Sequence, residues 1–271
     1  MNRRTVCLAG AAAAAMIPAA SQAAPQGAAS LGHYFPEGSP QKKKIGLIGG
    51  TGPESTLDYY RLLEYGTQKR FGKNFYPSIA IESVSVYDIF RFSEAKDYKG
   101  LANYLTEAVK RLAGAGCDVA TFTGVTPHVV FEEVEARSPI PMLSVITPTV
   151  DYAKARGMKK LALIATQFTM TGAFFSRPFE RAGIELVKPN AKEIAFIGNK
   201  LDTEIEAGKY LPETQEAFRK IIVRLAGEKP QALILGCTEM PGFLKGVDLP
   251  LPAVDPMALH IERLIDLILK G

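Results

Sequence analysis

Short apolar runs and helical patterns alternate along this chain. KKIGLIGG (43–50), PSIAIESV (77–84), DVATFTG (118–124) and IPMLSVI (140–146) carry few polar interruptions. The same holds for LALIAT (161–166), GIELVKP (183–189), QALILGC (231–237) and the short LPAVD (251–255). Brief runs that stay apolar at successive positions predict strands buried on both faces. Between them the period lengthens. Leu101, Leu105, Ala108 and Leu112 fall at spacings of four, three and four, which predicts a helix over 98–115. Phe218, Ile221, Ile222 and Leu225 predict another over 213–226, and Ile261, Leu264, Ile265 and Ile268 a final one. Strands alternating with helices predict an α/β fold in which helices cover parallel sheets.

The order of these elements repeats. KIGLIGGTGPEST is answered by LALIATQFTMTG, DVATFTGVTPH by QALILGCTEMPG, and IPMLSVITPTVDYAKA by LPLPAVDPMALHIERL. Three matched pairs in one order predict two pseudo-symmetric parallel-sheet α/β domains. The first spans 43–147 plus 251–271, the second 148–250. Open parallel sheets bind ligands beyond the carboxyl ends of their strands, so the active site is expected in the cleft between the two domains.

The amino terminus reads differently. Residues 1–24 combine a basic start, an Ala-rich apolar centre and small residues around Ser21-Gln22-Ala23, the pattern of a secretory signal. Arg3-Arg4 followed by Thr5, Val6 and Leu8 is twin-arginine-like. The mature protein is therefore expected outside the cytoplasm, in a periplasm. Pro18 breaks an apolar run already too short to span a bilayer, so no membrane domain is expected. Residues 25–42, rich in Pro, Gly and Ser, read as a linker.

Charge and cysteine content narrow the classes further. The formal net charge is +4, but the basic residues are scattered and the longest basic run is Lys42–Lys44. Nucleic-acid binding needs a basic stripe with stacking aromatics, which is missing. Cys7 leaves with the signal. Cys117 opens a predicted strand and Cys237 closes another, which disfavours a disulfide between them. The three histidines are separated and lack carboxylates at ligand spacing, so no metal site is expected.

Two loops can carry chemistry. In GGTGPEST (49–56) the glycines allow a tight turn and Pro53 suits a first helical turn, whose free N–H groups favour a carboxylate or phosphate. Its counterpart ATQFTMTG (165–172) offers the hydroxyls of Thr166, Thr169 and Thr171 instead. Small polar groups of this kind suit a small anion better than a nucleotide. In LGCTEMP (235–241), Cys237 stands at a strand end before a predicted helix start, a setting that lowers a thiol's pKa. Thr238 and Glu239 follow it directly.

The segments LILGCTEMP, GGTGPEST and LALIATQFTMTGAFFSRPFERAGIE resemble the aspartate/glutamate racemase family, over nearly everything from Lys43 to Leu269. The resemblance implies an isomerase free of pyridoxal phosphate or any other cofactor. One cysteine from each half exchanges protons on opposite faces of the α-carbon, which a two-fold fold can supply. It also implies a homodimer and, as partner, a small acidic amino acid or dicarboxylate. This chain departs from the family at the first cysteine. Where the family reads Cys-Asn-Thr-x-His, the positions are Gly124, Val125, Thr126, Pro127 and His128. The catalytic set implied is Cys237 with Thr126 and His128. Substrate contacts are expected from Thr51, Gly124, Val125, Thr166, Thr169, Thr238 and Glu239, and from Arg91 as a bidentate partner for a side-chain carboxylate. His260 stands where the family often has a histidine near the second cysteine. Cys117, roughly 20 Å from Gly124 along its strand, is too distant to replace the missing thiol.

Three readings follow. Racemisation survives if Thr123, Thr126 or His128 takes over from the missing thiol. A single-thiol decarboxylase is the second, since arylmalonate decarboxylases also pair a glycine with one cysteine. The third is an exported binder of acidic amino acids without turnover.

Overall fold

The computed structural model describes residues 38–270, so the expected signal segment and most of the expected linker lie outside the described residues. The elements run in order as β1 (Ile45–Gly49), α1 (Pro53–Phe71), β2 (Ile79–Ser83), α2 (Val86–Glu94), α3 (Tyr98–Gly114) and β3 (Val119–Phe122). A short 3-10 turn (Thr126–Val130), α4 (Phe131–Arg137) and β4 (Met142–Leu143) complete the first half, and α5 (Ile146–Ala155) crosses to the second, where Ile146, Val150 and Ala153 join its core. The second half holds β5 (Lys160–Ala165), α6 (Gln167–Thr171), α7 (Ala173–Arg181), β6 (Glu185–Val187) and α8 (Ala191–Lys200). A π-helical turn (Leu201–Ile205), α9 (Pro212–Ala226), β7 (Leu233–Gly236), α10 (Met240–Phe243), β8 (Ala253–Val254) and α11 (Pro256–Lys270) follow. Among the described residues no helix is long and apolar enough to cross a membrane.

Two four-stranded sheets result, ordered β2-β1-β3-β4 and β6-β5-β7-β8, with every pairing parallel. Corresponding strands occupy corresponding places, so the repeat in the sequence is a repeat in space. The central strands β1, β3 and β7 are buried along their whole length, as their unbroken apolar runs require. The edge strand β2 is only half covered. One boundary differs from expectation. Residues 253–254 form the outer strand of the second sheet through the pairing of Ala253 with Leu233. Only α11 returns to the first half, where Ile261, Leu264, Ile265 and Ile268 pack with Ile45, Leu47 and Leu63. The last residues of the expected linker are also tied down. The Gln41 side chain binds the backbone of Ser78 in both directions, and the Lys42 amide donates to the Ile268 carbonyl.

The turn after β1 depends on glycine. Gly50 has φ 75°, and a Cβ there would lie 2.1 Å from the Val84 carbonyl oxygen. Gly50→Ala therefore incurs left-handed backbone strain of about 1–3 kcal/mol in addition to a backbone collision. Its urea midpoint should fall well below wild type; an unchanged midpoint would mean the turn has room to relax.

Candidate active site

In each sheet the strand order reverses beside a central pair, between β1 and β3 and again between β5 and β7. Loops leaving such a switch point diverge and open a crevice. Here the four loops, 51–53, 124–127, 166–168 and 236–239, line one cleft of about 940 Å³. It contains Thr51, Gly124, Val125, Thr126, Thr166, Cys237, Thr238 and Glu239.

Cys237 follows β7 directly and is 7% exposed. Its thiol donates to Glu239 Oε2 at 2.8 Å, and the Thr238 hydroxyl donates to the same oxygen at 2.8 Å. The expectation of a depressed thiol pKa is reversed. Burial first, then the Glu239 charge beside it, hold the thiol well above its ordinary value. The nearest helix, α10, has four residues and starts at Met240, too short and too far along to offset this. At rest Cys237 is a protonated thiol whose hydrogen is directed at Glu239 Oε2.

Across the cleft, Gly124 has ordinary backbone geometry, so glycine is not demanded there by φ. Space demands it. A Cβ at 124 would lie 2.6 Å from Thr51 Oγ1 and 3.2 Å from both Thr51 Cβ and the Thr51 carbonyl oxygen. The Thr51 hydroxyl thus fills the room a side chain at 124 would use. It stands 3.3 Å from the Thr123 hydroxyl, which is 3.2 Å from that of Thr56. Thr56 accepts from the Gly50 amide and donates to the Gly52 carbonyl. Gly124 and Cys237 also border a smaller cavity beneath the cleft, beside Tyr59 and Thr123.

Three expected site residues take other places. His128 is 4% exposed and outside the cleft lining. Its Nδ1–H donates to the Gly124 carbonyl at 3.0 Å, and Nε2 accepts the Val145 amide at 3.1 Å. Both nitrogens are occupied by backbone, so the ring holds the 124–127 loop and moves no proton to substrate. Thr169 is fully buried and pairs with the Thr166 hydroxyl, whose oxygen caps α6. Arg91 is outside the cleft lining, is 72% exposed at its side chain and pairs with Asp88 at 2.9 Å. His260 is also buried. The Tyr59 hydroxyl donates to its Nδ1 at 2.7 Å, and its Nε2 lies 3.2 Å from Thr121 Oγ1, whose own hydrogen goes to the Leu143 carbonyl. That chain ties α1, α11 and β3 together behind the small cavity.

Burial keeps both rings neutral, lowering His128 to about 4 and His260 to about 3. In the unfolded chain each protonates near 6.5. Below that value the unfolded state binds more protons, so stability falls as pH drops from 6.5 toward 4. By pH 5 each ring removes about 2 kcal/mol. Urea midpoints at pH 7 and pH 5 test this, and equal midpoints would contradict it.

Glu206, which no motif in the sequence marks, enters the same cleft from the residue after the π-helical turn. Desolvation at the wall, then the charges of Glu239 and Asp202, push it up to about 7.

A thiol set between two duplicated parallel sheets, at the switch points of both, defines a class of two-lobed α/β proteins. The profile described as Asp/Glu/Hydantoin racemase matches residues 48–264, and the chain belongs to that family. A Yersinia pestis protein classed among the Asp/Glu racemases superposes with a TM-score of 0.79 at 29% identity, over 83% of this chain and 98% of its own. An aspartate racemase homologue from Pyrococcus horikoshii gives 0.74 at 33% identity, over 84% and 99%. The broad specificity amino-acid racemase RacX of Bacillus subtilis is 22% identical over 79% of this chain and 93% of its own length.

Proposed function

We propose that the cleft exchanges the α-proton of a small amino acid as a cofactor-independent racemase, with Cys237 as acid/base on one face. The observation that carries this reading is the shared cleft wall: Cys237 leaves β7 and Gly124 leaves β3, the equivalent strands of the two halves. Glu239 takes the thiol proton when substrate arrives, and the thiolate removes the α-hydrogen. Thr51, whose hydroxyl fills the space at Gly124, donates a proton to the opposite face and regains one, relayed by cleft water, from the protonated Glu239, which returns every group to its starting state. A hydroxyl is a weaker partner than a thiol. The enantiomer whose α-hydrogen faces Cys237 therefore reacts faster than its mirror image.

The lack of a thiol at Gly124 and the protonated resting thiol of Cys237 favour one second reading. A diacid of the arylmalonate type would lose carbon dioxide and take a single proton from Cys237. In deuterium oxide, proton NMR reports loss of the α-hydrogen and chiral chromatography reports inversion. Exchange with inversion supports the racemase; carbon dioxide release from an arylmalonate supports the second reading; binding with neither leaves a binder.

The twin-arginine-like start supports export to a periplasm as part of the same proposal. Leu57, Tyr60 and Tyr65 on the outward side of α1 are exposed, which suits the homodimer that the resemblance implies.

A further inference from the structure

The charges on the cleft walls bear on which amino acid it accepts. Among its lining residues are Glu54, Glu94, Asp202, Glu206 and Glu239, with no Lys, Arg or His. Carboxylates elsewhere are commonly neutralised: Glu82 by Arg111, Glu193 by Arg224 and Asp266 by Arg70. None of the five in the cleft has an ion-pair partner among the described residues. Arg91, the cation expected to grip a substrate carboxylate, is absent from the cleft lining and paired with Asp88.

An α-carboxylate can still be held without a cation, by hydroxyls and loop amides at Thr51, Thr166 and Thr238. A second carboxylate would enter a crevice whose walls carry carboxylates and no cation, and like charges repel it. The walls carry a second signal. Val86, Ile89 and Phe90 from α2 and Phe168 from α6 give the cleft a long apolar side. Its volume of about 940 Å³ is far more than a four-carbon diacid needs. Apolar walls with carboxylates beyond them suit a stem of methylenes ending in a positive charge. The carboxylates are not set as a metal cage either: among the described residues no group of three His, Cys, Asp or Glu could hold a metal ion.

We propose that this cleft takes an amino acid whose side chain is an amine or guanidine on an aliphatic stem, and that it rejects the acidic amino acids. This rests on the reading of the cleft as a site of α-proton exchange, and it names the substrate class of that site. Asp202 and Glu206, near the thiol end beside Glu239, contribute the attraction on the second half; Glu54 and Glu94 contribute it on the first.

The test uses the whole mature protein with L-lysine, L-ornithine, L-arginine, L-aspartate, L-glutamate and the uncharged stem analogue L-norleucine. Exchange of the α-hydrogen is followed by NMR, and binding by calorimetry on the same preparation. Lysine, ornithine or arginine should exceed aspartate and glutamate by about 100-fold in kcat/KM, and norleucine by about tenfold. Glu206 and Asp202 are exposed, so Glu206→Gln and Asp202→Asn should fold normally. Together they should narrow the lysine-to-norleucine ratio by about tenfold. Aspartate or glutamate reacting as fast as lysine would overturn the proposal, and so would a lysine-to-norleucine ratio of one. If no amino acid exchanges, the proton-transfer reading fails, and calorimetry decides this one separately: lysine binding more tightly than aspartate upholds it, and the reverse order ends it.

Discussion

Cys237→Ser should lower α-proton exchange by about 10³-fold or more, equivalent to about 4 kcal/mol of barrier. The argument starts from size. Oxygen replaces sulfur with little change of volume, so the 7% exposed site keeps its packing, and the stability of the variant should stay close to wild type. What changes is proton affinity. Burial and Glu239 already hold the thiol above its ordinary value. A serine hydroxyl in the same surroundings is a far weaker acid, and Glu239 cannot take its proton at neutral pH. Binding should survive, because Thr51, Thr166 and Thr238 are untouched. Loss of exchange with retained binding is therefore the expected pair of results, read by NMR and calorimetry. Unchanged exchange would remove Cys237 from the mechanism and leave the cleft as a binding site.

The contrast between what the sequence reveals and what it hides has a physical origin. Buried parallel strands must be apolar on both faces, so β1, β3, β5 and β7 stand out as uninterrupted runs. The repeat was legible because both halves place the same strand order around the same crevice. α1 was hard to see as an amphipathic helix. Leu57, Tyr60, Leu62 and Tyr65 are exposed, while Glu64 and Thr67 are buried, so its apolar residues do not mark its inner face. The candidate site divides the same way. Cys237, Thr238 and Glu239 are contiguous and visible as a segment. The roles of His128 and His260 depend on carbonyls and hydroxyls brought from other elements, and a ring in a motif cannot reveal that its nitrogens are already occupied. Glu206 lies in no recognisable loop, and only the fold of α8 and the turn after it carries it to the cleft. The sequence predicts Thr51 as a substrate contact; its relation to Gly124 joins loops from two different strands and is a fact of distance alone.

That relation sets the second large effect. Gly124→Cys by itself should not raise racemisation, although it restores a thiol where the family has one. The new Cβ would meet Thr51 Oγ1 at 2.6 Å, and Thr51 is held by Thr123, whose hydroxyl also contacts the Ile48 carbonyl. The loops must part to admit it, at about 1–3 kcal/mol of stability. Thr51→Ala alone removes the proposed donor on that face and should cut inversion by about tenfold or more, with exchange at the Cys237 face less affected. Combining the two removes the closest contact and leaves neighbours at 3.2 Å, which a shift of a few tenths of an ångström relieves. Thr51→Ala/Gly124→Cys then presents thiols from both halves, and inversion should rise about 100-fold above Thr51→Ala, past wild type. The ratio of inversion to exchange is the decisive reading, since a structural effect of the substitutions would move both together. If Gly124→Cys accelerates inversion with Thr51 intact, the threonine does not occupy that space during turnover. If the double variant binds substrate and gains nothing, position 124 does not face the α-carbon.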